Sequence, residues 1–406
     1  MASSACARVT DGQRRVSQRS SRTPVSASAT TSCKSRIIFT LEFLCVVRSL
    51  HENFWRPKEK AMQAIVMTAP KKLELREVPE PAAPGAHEVL LAVESVGVCG
   101  SDVHYYNDGR VGDQIITFPY AIGHECSATV LAVGNAVTQV KVGDHVAVEP
   151  AVSCGACDQC RAGRRHTCRK LQFLGTPGQL AGCLRERLVM PERCCLPLAP
   201  QTTLDQGALV EPLSIAVYAA QLGAPRPGQS IAILGAGPIG LSILLCLRHA
   251  KHERIYVTEP LAYRRQKAEQ LGAIRTHDPF AADCAQVWQK DEPLGFDLVL
   301  ECCGQQTAVD EALRLLKPGG TLVLVGIPTV DQLTLNIAVA RRKEITIRNV
   351  RRQNECVEEA VKLIEHDGLP MHQLQTHTFP FARSAEAFDL VANYRDGVIK
   401  AMIHVR

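Results

Sequence analysis

No uninterrupted apolar run in this 406-residue chain is long enough to cross a bilayer, so a soluble protein with no membrane partner is expected. A basic stripe interleaved with aromatics is missing as well. Aromatics make up 5% of the residues and the formal charge is a mild +5, which argues against nucleic acid as a partner. Internal repeats are absent. So is the small secreted format that leans on disulfides, although the chain has 17 cysteines, among them the neighbours Cys194 with Cys195 and Cys302 with Cys303. Cysteines at irregular positions in a chain of this size point to a reducing, cytoplasmic setting in which thiols stay free or bind metal.

Acids are nearly missing from the first segment, where Asp11 stands alone as far as Ser35 among Ser, Arg, Thr and Ala. A transit peptide has such a composition. However, Met62 opens the strand-like run MQAIVMTAPKKLELREVP, and Lys58, Glu59 and Lys60 before it have codons that can spell a ribosome-binding site. Residues 1–61 are therefore read as an atypical leader, translated upstream sequence before a targeting peptide, and are left out of the fold.

The rest has the composition of a globular protein, 46% hydrophobic and 21% charged, and a length that suits two domains. Residues 62–211 show short β-type runs broken by Gly and Pro (EVLLAVESVGV, CSATVLAVG, DHVAVEP), which predict a mostly β domain with a partly open barrel. Over 212–351 strands and helices alternate, and the continuous apolar runs predict an α/β, doubly wound parallel sheet covered on both faces. The tail, 352–406, has two helical patterns and a final strand, VIKAMIHV, which predicts a return to the first domain.

Three clusters carry chemistry. Cys154, Cys157, Cys160 and Cys168 are separated by two, two and seven residues, spacing that lets one lobe wrap a tetrahedral zinc. Four thiolates close the coordination sphere, so that zinc is expected to be structural. Gly235, Gly237 and Gly240 in GAGPIG lie between the apolar run SIAIL and a helix. There the glycines give a tight turn, close approach of a pyrophosphate and helix-to-strand packing. Glu259, nineteen residues after Gly240, ends the next strand, where an acid holds ribose hydroxyls and repels a 2′-phosphate. This favours NAD over NADP. Arg264 and Arg265 nearby either soften that preference or cover an exposed helix face. The third cluster is Cys99 in GVCGSDVHYY, His124 and Glu125 in GHE, and Glu211 in EPLS, the ligand types of an open catalytic zinc. Adjacent ligands at His124 and Glu125 strain regular strand alternation, and Gly123 is expected to relieve that by a bend.

From Met62 onward these motifs, in this order, resemble the zinc-containing medium-chain alcohol and polyol dehydrogenases, and CGSDVHYY, GHE and EPLS look most like the sorbitol, L-iditol and xylitol enzymes. The resemblance implies a GroES-like catalytic domain beside a Rossmann domain, and two zinc ions per subunit. Cys99, His124 and Glu125 would hold the catalytic one, with Glu211 holding its water or exchanging with Glu125. It implies Tyr105, Glu211, Arg352 and Gln353 at the polyol, and Ser101 with His104 as a proton relay. Asp102 would orient His124. Besides the glycines and Glu259, the cofactor contacts would be Ile239, Arg264, Val325, Gly326, Ile327, Val350, Arg351 and Arg352. In this family zinc is the Lewis acid and NAD the hydride acceptor.

One departure stands beside these matches. The sorbitol enzymes read Phe-Arg-Tyr where this chain has Arg351-Arg352-Gln353, so the distal end of the pocket is more polar and positive, and an acidic or phosphorylated sugar alcohol becomes an alternative to sorbitol. The function expected is oxidation of a secondary alcohol of a polyol to a ketose. The alternatives are a butanediol, threonine or other secondary-alcohol dehydrogenase, or a non-catalytic zinc and NAD-binding protein. A homo-dimer or homo-tetramer is expected, paired through the edge strand EITIRNV.

Overall fold

The computed structural model describes residues 61–281 and 283–406. The leader reading concerns residues 1–61, and all but Ala61 of these lie outside the described residues. Ala61 itself already begins the first strand. The run after it is a hairpin, Ala61–Ala69 against Lys72–Pro79, turned at Lys71 in the left-handed region.

A seven-stranded sheet carries the first core. Its central strand, Glu88–Gly97, pairs antiparallel with Glu125–Val133, with Arg187–Pro191 and with the last strand, Lys400–His404. The tail therefore closes on the first sheet, and a strand not anticipated, Gln375–Pro380, lies parallel to the last one. QTHTFP is too polar to advertise itself. It is an edge strand, half covered, with alternating intermediate and exposed residues. Val89, Leu91, Val93, Val96, Ala401 and Ile403 are at most 1% exposed and fill this core.

The second sheet is six-stranded and parallel, with Ile231–Leu234 at its centre, flanked on one side by Ile255–Thr258 and Arg275–His277 and on the other by Phe296–Glu301, Leu316–Leu324 and Thr346–Asn349. That order reverses direction at Ile231–Leu234, the switch point where doubly wound sheets bind ligands beyond the carboxyl ends of their strands. Ile231, Ala232 and Ile233 are fully buried, as expected of a sheet covered on both faces. KPGG belongs to the strand Leu316–Leu324, since the preceding helix stops at Leu315. Among the described residues no helix is long and apolar enough to cross a membrane.

Candidate active site and metal centres

Cys99 caps a helix, Gly100–Asp108, that leaves the central strand of the first sheet. Ser101, Asp102, His104 and Tyr105 therefore lie on a helix, and neighbours three residues apart share a face. Gly123, at φ 99°, makes the expected bend, and the strand Glu125–Val133 starts only after His124. His124 thus escapes strand alternation, and both neighbours turn inward. Ligand atoms of Cys99, His124 and Glu125 lie within 4.8 Å of one another. One thiol, one imidazole and one carboxylate at this spacing fit a zinc ion with a free position.

The surroundings prepare each ligand. Ser101 Oγ donates to Cys99 Sγ at 3.3 Å. Asp102, 1% exposed, accepts from the Gly123 amide at 3.3 Å and faces His124 Nδ1 at 3.2 Å, which leaves the other ring nitrogen for a metal. Burial alone depresses the His124 imidazole, but Asp102 and Cys99 raise it well above the usual histidine value, so metal binding must displace a proton. Glu125 is paired with Lys400, 1% exposed, whose ammonium also donates to Val98 O at 3.2 Å. Sequence reasoning missed Lys400. Its signal was a lone lysine inside the apolar strand VIKAMIHV.

Glu211 sits in the first turn of the helix Val210–Gly223. It is buried, its Oε2 has no partner among the described residues, and burial pushes its carboxyl up to about 8. An orphaned carboxylate oxygen beside this donor set suits a metal-held water or alcohol. Tyr105 is 4% exposed, donates to Gln114 Oε1 at 2.9 Å, and is raised by burial to about 12. His104 is lowered by burial, which keeps its imidazole neutral near pH 7.

Arg352, in the left-handed region at φ 55°, lays its guanidinium over the Phe173 ring at 3.6 Å, and that ring leans on His124 with centroids 5.3 Å apart. Gln353, expected at the substrate, has both ends of its amide engaged inside the protein: it donates to Glu149 and accepts from the Cys356 amide at 2.9 Å. Glu149, not singled out in the sequence, is half-buried near the end of DHVAVEP, also accepts from the Ala151 amide at 2.8 Å, and is pushed by desolvation up to about 7.

The four-cysteine lobe is assembled. Cys157 Sγ lies 3.6 Å from that of Cys160 and 3.9 Å from that of Cys168, and Cys154 Sγ is 4.0 Å from that of Cys160. These are not disulfides. Four thiolates at about 2.3 Å from one ion stand about 3.8 Å apart, so the lobe fits a tetrahedral zinc.

At the glycine turn, Gly235 has φ 103°, and a side chain at Gly240 would overlap Gly235 O. Glu259, 5% exposed, accepts from the amides of Ala236 at 2.8 Å and Leu261 at 3.1 Å, so it braces the turn that a dinucleotide would meet. Ile239 packs against the core beneath this turn. Arg264 is not on an exposed face: it is 7% exposed, donates to Val398 O at 3.0 Å, and stands beside Gly237. Across the switch point the amides of Val325 and Gly326 both donate to Glu301 O, at 2.8 and 2.9 Å. Ile327 is 47% exposed, Val350 donates to Leu324 O at 2.9 Å, and Arg351 is exposed. Glu301, which sequence reasoning also missed, accepts from the amides of Cys303 and Gly304 at 2.8 and 2.6 Å while its Oε2 has no partner among the described residues. These residues line the carboxyl ends of adjacent strands, as a dinucleotide groove requires.

Comparison with known proteins agrees with this geometry. Residues 85–200 match the alcohol dehydrogenase GroES-like domain, and residues 238–366 match the zinc-binding dehydrogenase domain. A sorbitol dehydrogenase of Bacillus subtilis (strain 168) is 31% identical over 346 residues, which are 84% of this chain and 97% of that protein. D-xylulose reductase A of Aspergillus oryzae is 32% identical over 338 residues, 82% of this chain and 94% of that protein. The crystal structure of an Escherichia coli oxidoreductase/dehydrogenase of unknown specificity has a TM-score of 0.80 at 31% identity, covering 85% of this chain and 99% of that one. Two domain matches in the right order, and relatives covering most of the chain, place it beyond fold likeness: the chain belongs to the zinc-containing medium-chain dehydrogenases, oxidoreductases, on their polyol-dehydrogenase-like side.

Proposed function

We infer that the chain oxidises a secondary alcohol of a polyol of the sorbitol, xylitol or L-iditol type to a ketose, with NAD as the acceptor. The observation that carries this reading is the meeting of Cys99, His124 and Glu125 within 4.8 Å beside the unpartnered carboxylate of Glu211. Zinc bound by the three ligands supplies a Lewis acid that lowers the pKa of an alcohol, and NAD supplies the hydride acceptor. The protein's own groups do the rest. Ser101, already hydrogen-bonded at Cys99, takes the alcohol proton and passes it to His104, which follows three residues later on the same helix face and is kept neutral by burial. Asp102 fixes the His124 ring. Tyr105 and Arg352 orient the polyol chain.

The braced acid Glu259 supports NAD over NADP, since a carboxylate at the turn repels a 2′-phosphate. In this reading one zinc is catalytic and the second, in the four-cysteine lobe, is structural. The division into 62–211, 212–351 and 352–406 goes with it, as does a cytoplasmic homo-dimer or homo-tetramer. The strand Thr346–Asn349 pairs on one side only among the described residues, which suits pairing between copies.

The test follows absorbance at 340 nm with NAD and sorbitol, xylitol, L-iditol, galactitol, threonine and 2,3-butanediol. Oxidation of the polyols is expected. Absence of any turnover in zinc-replete protein rejects the reading. C99S should abolish turnover while circular dichroism and one zinc per chain persist; surviving rate would reject the ligand assignment. Light scattering should give a multiple of the 44.3 kDa chain mass.

A further inference from the structure

The loop after the last strand of the parallel sheet delivers a cation to the metal site and leaves it without a partner. Arg352 donates no hydrogen bond and forms no ion pair with any described residue, and its Nη1 is buried. Its position is nevertheless fixed on all sides. The guanidinium is stacked on Phe173, whose other contact is His124. Next to it Gln353 is clamped between Glu149 and the Cys356 amide, and Asn354 Nδ2 donates to Gly163 O at 2.9 Å in the four-cysteine lobe. A left-handed backbone at a residue with a side chain costs of order 1 kcal/mol, and the clamp is what holds it there.

A half-buried guanidinium whose Nη1 is shut away from water without an acceptor is costly until one arrives, and its planar fork matches a carboxylate or a phosphate better than a single hydroxyl. Exposed Arg351 beside it adds positive charge, and no described carboxylate reaches it. Two acids, Glu149 and Glu211, stand near enough to favour its charge, but Glu149 is engaged by Gln353 and Glu211 faces the donor set. The guanidinium therefore stands one ring away from His124, beside the candidate metal ligands.

We propose that Arg352 selects a polyol bearing an anionic group, a carboxylate or a phosphate, at the end of the chain remote from the alcohol that is oxidised. This rests on the polyol-dehydrogenase reading above and narrows its substrate class.

The experiment measures kcat and KM of the zinc-loaded enzyme for sorbitol, for the aldonates D-gluconate and L-idonate, and for sorbitol 6-phosphate and galactitol 1-phosphate. The same series is run with R352M and R352K, with NADH affinity followed by fluorescence in each. Expected is a higher kcat/KM for one anionic group than for sorbitol, the two arms telling carboxylate from phosphate. In R352M the ratio of anionic to neutral kcat/KM should fall about 30-fold or more, mainly through KM, as removal of one partner of a desolvated charge pair does. R352K, which keeps the charge but not the fork, should recover part of that loss. Equal or better oxidation of sorbitol by the wild type overturns the proposal and leaves the polyol reading intact. A uniform loss on all substrates, or a weakened NADH affinity in R352M, also overturns it, because the residue then serves every polyol alike, the fold or the dinucleotide. No oxidation of any of them removes the polyol reading and this proposal together.

Discussion

Lys400 and Glu125 meet where neither has water to fall back on, both being 1% exposed. Gly97 makes room for them: a side chain there would overlap the Glu125 carboxylate and come within 2.9 Å of Lys400 Cε. Removing one member of a buried pair leaves an uncompensated charge, which costs about 3–5 kcal/mol. K400M should therefore lose about that much in urea unfolding of zinc-stripped protein. With zinc added the loss should shrink, because the metal supplies Glu125 with a new countercharge. An equal loss in both states would mean that Lys400 contributes by packing alone. The two residues lie 275 positions apart, so the pairing was not legible in the sequence, although the lone lysine in an apolar strand was a usable signal.

Among the elements, the four-cysteine lobe is the most self-contained. Its helix is only four residues, Asp158–Arg161, and its strands Ala151–Val152 and Gln172–Phe173 are two residues each. Such pieces lack the hydrogen bonds to persist alone, so an ion held by the four thiolates would contribute their folding free energy. C157S should lower bound zinc by one per chain, measured by atomic absorption, and lower the midpoint of thermal unfolding. Full zinc content in that variant would contradict a structural ion. The lobe matters for chemistry too, because Phe173 at its edge carries Arg352 and touches His124. Cysteine spacing announced the gathering of the four thiols. Nothing local announced Phe173, whose role comes from what packs on its two faces. The helix Gly100–Asp108 was likewise not legible: GSDVHYY has few helix formers, and Cys99 at its start has to be held by the sheet before the helix can form.

Over the whole molecule, Asp205 ties the chain's ends to its middle. It accepts from Ser95 Oγ at 2.5 Å, from Gln375 Nε2 at 2.6 Å and from His404 Nε2 at 2.9 Å, joining the helix Leu204–Ala208 to the central strand and both tail strands. Burial alone would raise its carboxyl, but Ser95, Gln375 and His404 hold it below the usual aspartate value. A depressed carboxylate contributes stability above its unfolded value of 3.8 that is lost as pH falls through the lower folded value. D205N should cost about 2 kcal/mol at pH 7, the scale of hydrogen bonds to a charged group. Urea unfolding should show that cost holding steady down to the mid-acid range and narrowing only below 3.8; a cost that stayed unchanged down to strongly acidic pH would mean that the charge of Asp205 contributes nothing.

The return of the tail could be foreseen from VIKAMIHV, because an apolar run that follows helices needs a sheet to join. The strand Gln375–Pro380 and the Asp205 tie could not, because both depend on the register that return adopts.

By itself the sequence determined the features whose parts are neighbours in the chain: four thiols within fifteen residues, a glycine turn between a strand and a helix, an acid at the next strand's end, and the adjacent His124 and Glu125 after a bendable glycine. Short spacing limits these groups to few arrangements, so their chemistry can be read before folding. Tertiary structure alone decided the countercharge on Glu125, the burial of Arg264, the capture of Gln353 by Glu149 204 positions away, and the stacking that leaves Arg352 unpaired beside the metal ligands. Those contacts join remote segments in a low-dielectric interior, where which charge finds a partner is set by packing and not by order along the chain.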